Sequence, residues 1–294
     1  MRFGDAGART AVAGRRGEVG LELEVTIRPG EGKRARLNGA SLRAAELLRM
    51  ETSTLVFTPD RLGVVKGAPA VRRAYLDRVL GRLAPARASL PAEYGAAVAQ
   101  RNAALRRAAG GYSSREAIEP WTERVEALGA ELVGARVDAL AVLEPAFGER
   151  AEELGLGEAA LRYDGEPPAR EQLQERLERD LERGATSLGP HLHDVVLAAG
   201  GRELRSFGSQ GEQRLALLAL LLAEAQAIIE RTGIPPLLLL DDVLSELDPQ
   251  RRRILAERVR SAGQVLVTAT DAGMLPLEPD ELVEVTPGAA VEAA

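Results

Sequence analysis

The chain has 294 residues, 38 basic and 44 acidic side chains, no cysteine and 45% hydrophobic residues. That length can bury one large core, or a core with a satellite domain, and the apolar content excludes wholesale disorder. The missing cysteine excludes disulfides, a thiol nucleophile and any Cys-ligated zinc or iron–sulfur centre.

Residues 1–18 are rich in Gly, Ala and Arg and show no clean period. Leu21, Leu23, Val25 and Ile27 alternate with polar residues and predict a half-buried strand. Pro29-Gly30-Glu31-Gly32 is a turn, and Arg34 to Leu37 returns as a second strand closed by Asn38-Gly39. Leu42 to Met50 reads as a short helix, and Thr54 to Phe57 as a strand stopped before Pro59. Helical spacing then takes over. Val71, Tyr75, Leu76, Val79, Leu80 and Leu83 mark one helix; Pro91 opens a second, running to about Ala109. Pro120 opens a third, through Trp121, Val125, Leu128, Leu132 and Val137. Leu173, Leu177 and Leu181 mark a further one, after a loop around Gly155 to Pro168. Beyond residue 186 the pattern is α/β. His193 to Ala198 is a strand and Glu212 to Glu230 a long apolar helix. Leu237 to Leu240 is a buried strand, Arg251 to Arg260 a helix, Gln264 to Thr268 a second buried strand and Glu281 to Val285 an edge strand. The expected organisation is a β-rich segment, 1–67, and an α/β segment, 186–294, forming one domain split by an all-helical insert, 68–185.

Charge follows the same division. The first 115 residues carry a net +11 and the remainder −17, against −6 for the whole. Such asymmetry suits an anionic partner on one face, or two halves that face each other within the fold. Only Lys33 and Lys66 accompany 36 arginines, which reads as coding bias rather than arginine-specific function. The longest apolar stretch, Leu215 to Ile229, is interrupted by Glu224 and too short to span a membrane. No charged-then-apolar leader follows Met1, so a soluble, cytoplasmic protein is expected.

The sharpest chemical signal is Ile234 to Asp248, Ile-Pro-Pro-Leu-Leu-Leu-Leu-Asp-Asp-Val-Leu-Ser-Glu-Leu-Asp. A strand buried on both faces cannot hide carboxylates, so Asp241 and Asp242 must emerge at its C-terminal mouth, where ligands bind in open α/β sheets. Two adjacent acids there suit Mg²⁺ and an attacking water, a Walker B pattern. Upstream, Phe207-Gly208-Ser209-Gln210-Gly211-Glu212-Gln213 is a turn feeding a helix. Its free N–H groups can receive an anion, and the same geometry makes Ser209 and Glu212 a capping box. His191 and His193 would share a strand face and could converge on a metal, though the chain has no third histidine.

These motifs resemble the RecF family of ABC-type ATPases of DNA repair. Leu237 to Asp248 looks like its Walker B and D-loop, and Gly208 to Gln213 like its signature. Gly189-Pro190-His191 with Asp194 looks like its Gly-Pro-His-Arg-Asp-Asp motif, with Leu192 and His193 departing from it. Phe57 to Asp60 and Val65 to Asp77 resemble the exit from the first lobe into the arm. The resemblance implies an ABC-type ATPase head with an inserted helical arm, and ATP with Mg²⁺ sandwiched between two protomers. Asp241 would hold the metal, and Asp242 would polarise the attacking water. Ser209, Gln210, Gly211, Glu212 and Gln213 would meet the partner's nucleotide, with Ser245 and Asp248 at the interface and Thr268 or Thr270 as the switch. It further implies a clamp on double-stranded DNA at junctions with single strands, loading RecA with RecO and RecR as partners. Arg72, Arg73, Arg101, Arg106 and Arg107 are the candidate phosphate contacts. The phosphate cradle Gly-x-x-x-x-Gly-Lys-Ser/Thr does not occur in the 294 residues; the only Gly-Lys is Gly32-Lys33, in a hairpin turn. The expectation is therefore a chain that begins inside the first lobe and cannot bind ATP tightly. The alternative is a non-catalytic DNA-binding or mediator paralogue. The helical insert and Asp242 count against a transporter subunit, and the shortness of 68–185 against a long coiled-coil relative.

Overall fold

The computed structural model describes residues 7–16, 18–42, 53–260, 263–287 and 289–292. They fall into two compact units, residues 1–54 and 55–294.

The first unit is a four-stranded antiparallel meander of β1 (Ala8–Arg16), β2 (Val19–Ile27), β3 (Lys33–Leu37) and β4 (Ala40–Leu42). Strand β1 lies where the sequence shows no period. It pairs with β2 along its whole length, from Ala8↔Ile27 to Arg16↔Val19, but residues 9–15 are exposed, so no apolar alternation is needed. The helix expected over Leu42 to Met50 lies outside the described residues, apart from Leu42, which ends β4.

The second unit opens with β5 (Thr54–Phe57), α1 (Gly63–Lys66), α2 (Pro69–Leu83) and α3 (Leu90–Ala109). Helix α4 (Glu119–Glu153) runs 35 residues, well past Val137, and carries Pro145 in its interior. The loop expected around Gly155 to Pro168 contains β6 (Ala160–Asp164), which pairs antiparallel with β7 (Asp194–Ala199). The stretch 68–185 is therefore helical but not all-helical. Five residues with only Leu161 fully buried carry too little pattern to declare a strand. The leucines at 173, 177 and 181 span two short helices, α5 (Arg170–Glu175) and α6 (Leu177–Arg183). After β8 (Arg202–Glu203) and α7 (Leu204–Phe207) comes α8 (Gln210–Thr232). It is capped by Ser209 at one end and by left-handed Gly233 (φ 68°) at the other. Parallel strands β9 (Leu237–Asp241) and β10 (Val265–Thr268) flank α9 (Pro249–Arg260), with β9 between β10 and β5. The last strands, β11 (Val283–Thr286) and β12 (Ala289–Glu292), form a hairpin. No described helix is long and apolar enough to cross a membrane.

One large core serves most of the second unit, and Leu105, Ile118 and Leu181 form a small separate cluster. Helix α8 is buried nearly all round from Leu215 to Ile228 and packs along α4 and against α2. Arginine–carboxylate pairs thread this core. Arg101 and Asp180 are both 0% exposed and 2.7 Å apart, and Arg101 also donates to Thr122 and Thr186. Glu224, in the apolar middle of α8, accepts from Tyr75 Oη at 2.8 Å and from Arg82. Arg136 grips Asp77 with two nitrogens and donates to Pro190 O at 2.8 Å.

The two histidines lie just before β7 rather than in it. His191 Nδ1 is 2.8 Å from Tyr94 Oη, and its Nε2 is 3.1 Å from the Thr186 carbonyl. A carbonyl only accepts, so Nε2 carries the proton and Tyr94 donates to Nδ1. His193 Nδ1 lies 3.0 Å from Tyr163 Oη, whose oxygen accepts from Arg136. Two different tyrosines thus engage the rings, and the metal reading of His191 and His193 is replaced by structural hydrogen bonding. Among the described residues no group of three or more His, Cys, Asp or Glu is placed to hold a metal. Gly189 (φ 130°) admits this packing, since a Cβ there would lie 2.3 Å from Tyr94 Oη.

Two predictions follow from this core. Replacing Asp180 with Ala strands Arg101 as an unpaired buried charge. Urea unfolding should show a loss of about 3–5 kcal/mol, and a loss under about 1 kcal/mol would refute the pairing. Burial lowers the pKa of both His191 and His193. Unfolding returns them to about 6.5, so their contribution is complete above that pH and is lost as pH falls towards the folded values. Between pH 7 and 5.5 the melting temperature should fall more steeply for the native chain than for the His191→Gln/His193→Gln variant; equal slopes would contradict this.

Candidate nucleotide site

Strand β9 alternates buried and half-buried leucines and then exposes Asp241 at its mouth. Asp242 follows with φ 50°, one of three non-glycine residues in the left-handed region among those described. Three contacts hold this turn. Asp242 N–H donates to Thr268 Oγ1 at 3.0 Å, Thr268 Oγ1 donates to Asp241 Oδ1 at 2.6 Å, and Ser245 Oγ donates to the Asp242 carbonyl at 2.9 Å. Thr268 reaches both because β10 pairs with β9 in the register Thr268↔Asp241. Asp242 Oδ1 is buried and has no hydrogen-bond partner among the described residues. A buried carboxylate oxygen left this way is costly unless something else hydrogen-bonds or coordinates it. The pair therefore fits a hydrated Mg²⁺ and a polarised water, both of which need few protein ligands. Asp248 caps α9, accepting from Arg251 N–H at 2.9 Å and pairing with the Arg251 guanidinium at 3.0 Å. The backbone N–H bond from Arg251, with the nearby guanidinium, holds its carboxyl below the usual range. Thr270 is exposed and makes only a 4.0 Å approach to Met274 sulfur.

The second half of the site is the front of α8. Ser209 Oγ accepts from Glu212 N–H at 3.2 Å, while Glu212 Oε2 accepts from Ser209 N–H and Oγ, both at 2.7 Å. These bonds, the backbone one foremost, lower the Glu212 pKa. Gln213 turns inward and donates to the carbonyls of Leu204 at 2.9 Å and Gly208 at 3.2 Å, fixing the turn from beneath. Gly208 has to be glycine, because a Cβ would sit 2.6 Å from Leu204 O. Gln210 and Gly211 are exposed. Both predicted halves are thus preformed, yet Ser209–Gln213 share no hydrogen bond with Asp241–Asp242 among the described residues.

The predicted phosphate contacts divide. Arg72 is 2% exposed and meets Asp194 with two nitrogens at 2.7 and 2.6 Å, donating also to Val65 O and Gly67 O. Arg101 is sealed with Asp180. Both are structural, a correction to the sequence reading, because the core has already paired their charges. Arg73 is half-buried and donates to His193 O at 2.6 Å. Arg106 is exposed, with one nitrogen on Gly184 O at 3.0 Å, and Arg107 is exposed. The sequence reading missed a basic face on the first unit. Arg9, Thr26 and Arg34 stand side by side across β1–β3, with Glu24 opposite Arg36 in the next row. An open cavity of about 530 Å³ lies on this face, where Arg9, Arg28, Arg34 and Arg36 outnumber Glu24 and Glu31. The period-2 pattern of β2 held the signal: its apolar face implies an opposite face that the neighbouring arginines share.

No family model matches the chain. The DNA replication and repair protein RecF of Heliobacterium modesticaldum is 37% identical over 262 residues, covering 84% of this chain and 70% of the relative. That of Myxococcus xanthus is 36% identical over 294 residues, covering 94% and 76%. The solved structure of the recombination mediator protein RecF-ATP in the RecFOR pathway superposes with a TM-score of 0.85 at 24% identity. The match covers 100% of this chain and 82% of that one. The α/β architecture with its helical segment is that of an ABC-type ATPase head, and the chain belongs to the RecF family of DNA replication and repair proteins.

Proposed function

We propose that this chain acts as a recombination mediator in DNA repair: an ATP-dependent homodimeric clamp on double-stranded DNA at single-strand junctions, working in the cytoplasm with RecO and RecR to load RecA. The observation that carries the reading is the strand-end pair Asp241–Asp242, whose buried Oδ1 has no partner of its own. Asp241 would hold Mg²⁺ through water, and the bound ion would neutralise phosphate charge. Asp242 would accept a hydrogen bond from the attacking water and orient it. Because the front of α8 makes no hydrogen bond to this pair among the described residues, its role is best served in trans. The Ser209 hydroxyl and the open N–H groups at Gln210 and Gly211 would face a nucleotide held by the partner, while Glu212 and Gln213 keep the turn in shape. Ser245 and Asp248 would lie at the same interface, residues 68–185 forming the arm. The remaining candidate phosphate contacts of the second unit are Arg73, Arg106 and Arg107; the first unit separately offers Arg36 beside Arg9 and Arg34, which pair with Glu24 and Glu31.

Since none of the 294 residues forms a Gly-x-x-x-x-Gly-Lys-Ser/Thr cradle, most β- and γ-phosphate contacts are missing from this chain. Equilibrium binding of labelled ATP to it should be weaker than micromolar, and micromolar affinity would overturn that statement. Duplex binding should depend steeply on salt. Arg34→Ala/Arg36→Ala should lower the slope of log K against log salt by about 2, the loss of two phosphate contacts. An unchanged slope would remove the first-unit face from the DNA interface.

A further inference from the structure

We infer that Thr268 is a positioning residue that clasps the strand-end acids, and that this, rather than a switch contact to nucleotide, is its part in the site. The inference rests on the nucleotide reading above and deepens it. Thr268 uses its single hydroxyl in both directions, donating to Asp241 Oδ1 at 2.6 Å and accepting from Asp242 N–H at 3.0 Å. The donated proton fixes the Asp241 carboxylate and leaves its Oδ2 for a hydrated cation. Metal-binding carboxylates are commonly oriented in this way by an outer hydrogen bond. The accepted bond satisfies the backbone of a residue at φ 50°, a conformation that costs free energy for a side chain other than glycine and needs surrounding contacts to persist. Ser245 holds the carbonyl of the same residue from the other side. Asp242 is therefore pinned at both its N–H and its C=O, and its buried Oδ1 is aimed by the backbone rather than by a side-chain partner. A threonine already committed twice cannot also serve as a free γ-phosphate sensor. Thr270, exposed and with no hydrogen bond to the acids among the described residues, is left for that part.

The test compares the 294-residue chain with its Thr268→Val and Thr268→Ser variants, using ¹⁵N-labelled protein and Mn²⁺ alone as probe. Two signals are read: amide exchange at Asp242, and paramagnetic broadening of the Asp241 and Asp242 amides. Valine keeps the shape and removes the hydroxyl; serine keeps the hydroxyl. Thr268 is exposed, so all three proteins should melt together. Thr268→Val should speed Asp242 exchange about fivefold and weaken Mn²⁺ binding about tenfold, with Thr268→Ser matching the native chain in both. Native exchange in Thr268→Val would overturn the clasp whatever Mn²⁺ does. If the native chain shows no broadening at Asp241 and Asp242, the metal reading of the site falls instead, and the exchange data alone judge the clasp. Normal Mn²⁺ affinity in Thr268→Val, with faster exchange, would reduce Thr268 to backbone support and overturn its positioning of Asp241.

Discussion

The pairing of Arg72 with Asp194 is the contact on which the second unit turns. One planar guanidinium grips a carboxylate at the start of β7 with two nitrogens and spends the third on the carbonyls of Val65 and Gly67. It thereby joins the exit from α1, the first turn of α2 and the strand that follows the Gly-Pro-His motif. Burial is the largest single influence on the Asp194 carboxyl and pushes its pKa up, but the Arg72 hydrogen bonding, the Val195 N–H bond and the charges of Arg72 and Arg205 together leave it net lowered. Arg136 repeats the two-nitrogen grip on Asp77, and Arg101 with Asp180 and Arg82 with Glu224 form further ion pairs inside the fold. Lysine could not replace Arg72, since a point charge with rotating donors cannot match a carboxylate and two carbonyls at once. The excess of arginine over lysine, whatever its origin in the coding sequence, is used structurally at these four places.

The same kind of polar wiring ties the helices of 68–185 to the elements that carry the candidate site. Glu224 ties the middle of α8 to Tyr75 and Arg82 on α2, and α8 begins at the Ser209–Gln213 turn. At the other end of α4, Arg251 of α9 donates to Leu154 O at 2.8 Å and also pairs with Asp248. The helical stretch therefore grips both α8 and α9, the helix that follows the acidic strand.

Much of this was legible in the sequence, for reasons that also mark where legibility ends. Four leucines ending in two aspartates specify a buried strand with acids at its mouth. The Ser209–Glu212 box announces the start of α8 because helix caps are local. Strand β1 could not be read, since neither of its faces is buried enough to impose a period. Strand β6 was hidden by its brevity. The fates of Arg72 and Arg101 were beyond any local pattern: their partners lie 122 and 79 residues away, and an arginine on a helix looks alike whether it faces solvent or a buried carboxylate. The role of Thr268 likewise depends on a parallel register that only the folded sheet provides.

The proposed role of the β9 mouth is that of the hydrolytic half of an ATP site. The most direct measurement joins the phosphate-cradle segment of a RecF relative to the front of this chain and follows ATP turnover and ATP-driven dimerisation. The fused chain should hydrolyse ATP, and Asp242→Asn should abolish turnover while dimerisation persists. Unchanged turnover in Asp242→Asn would contradict the claim.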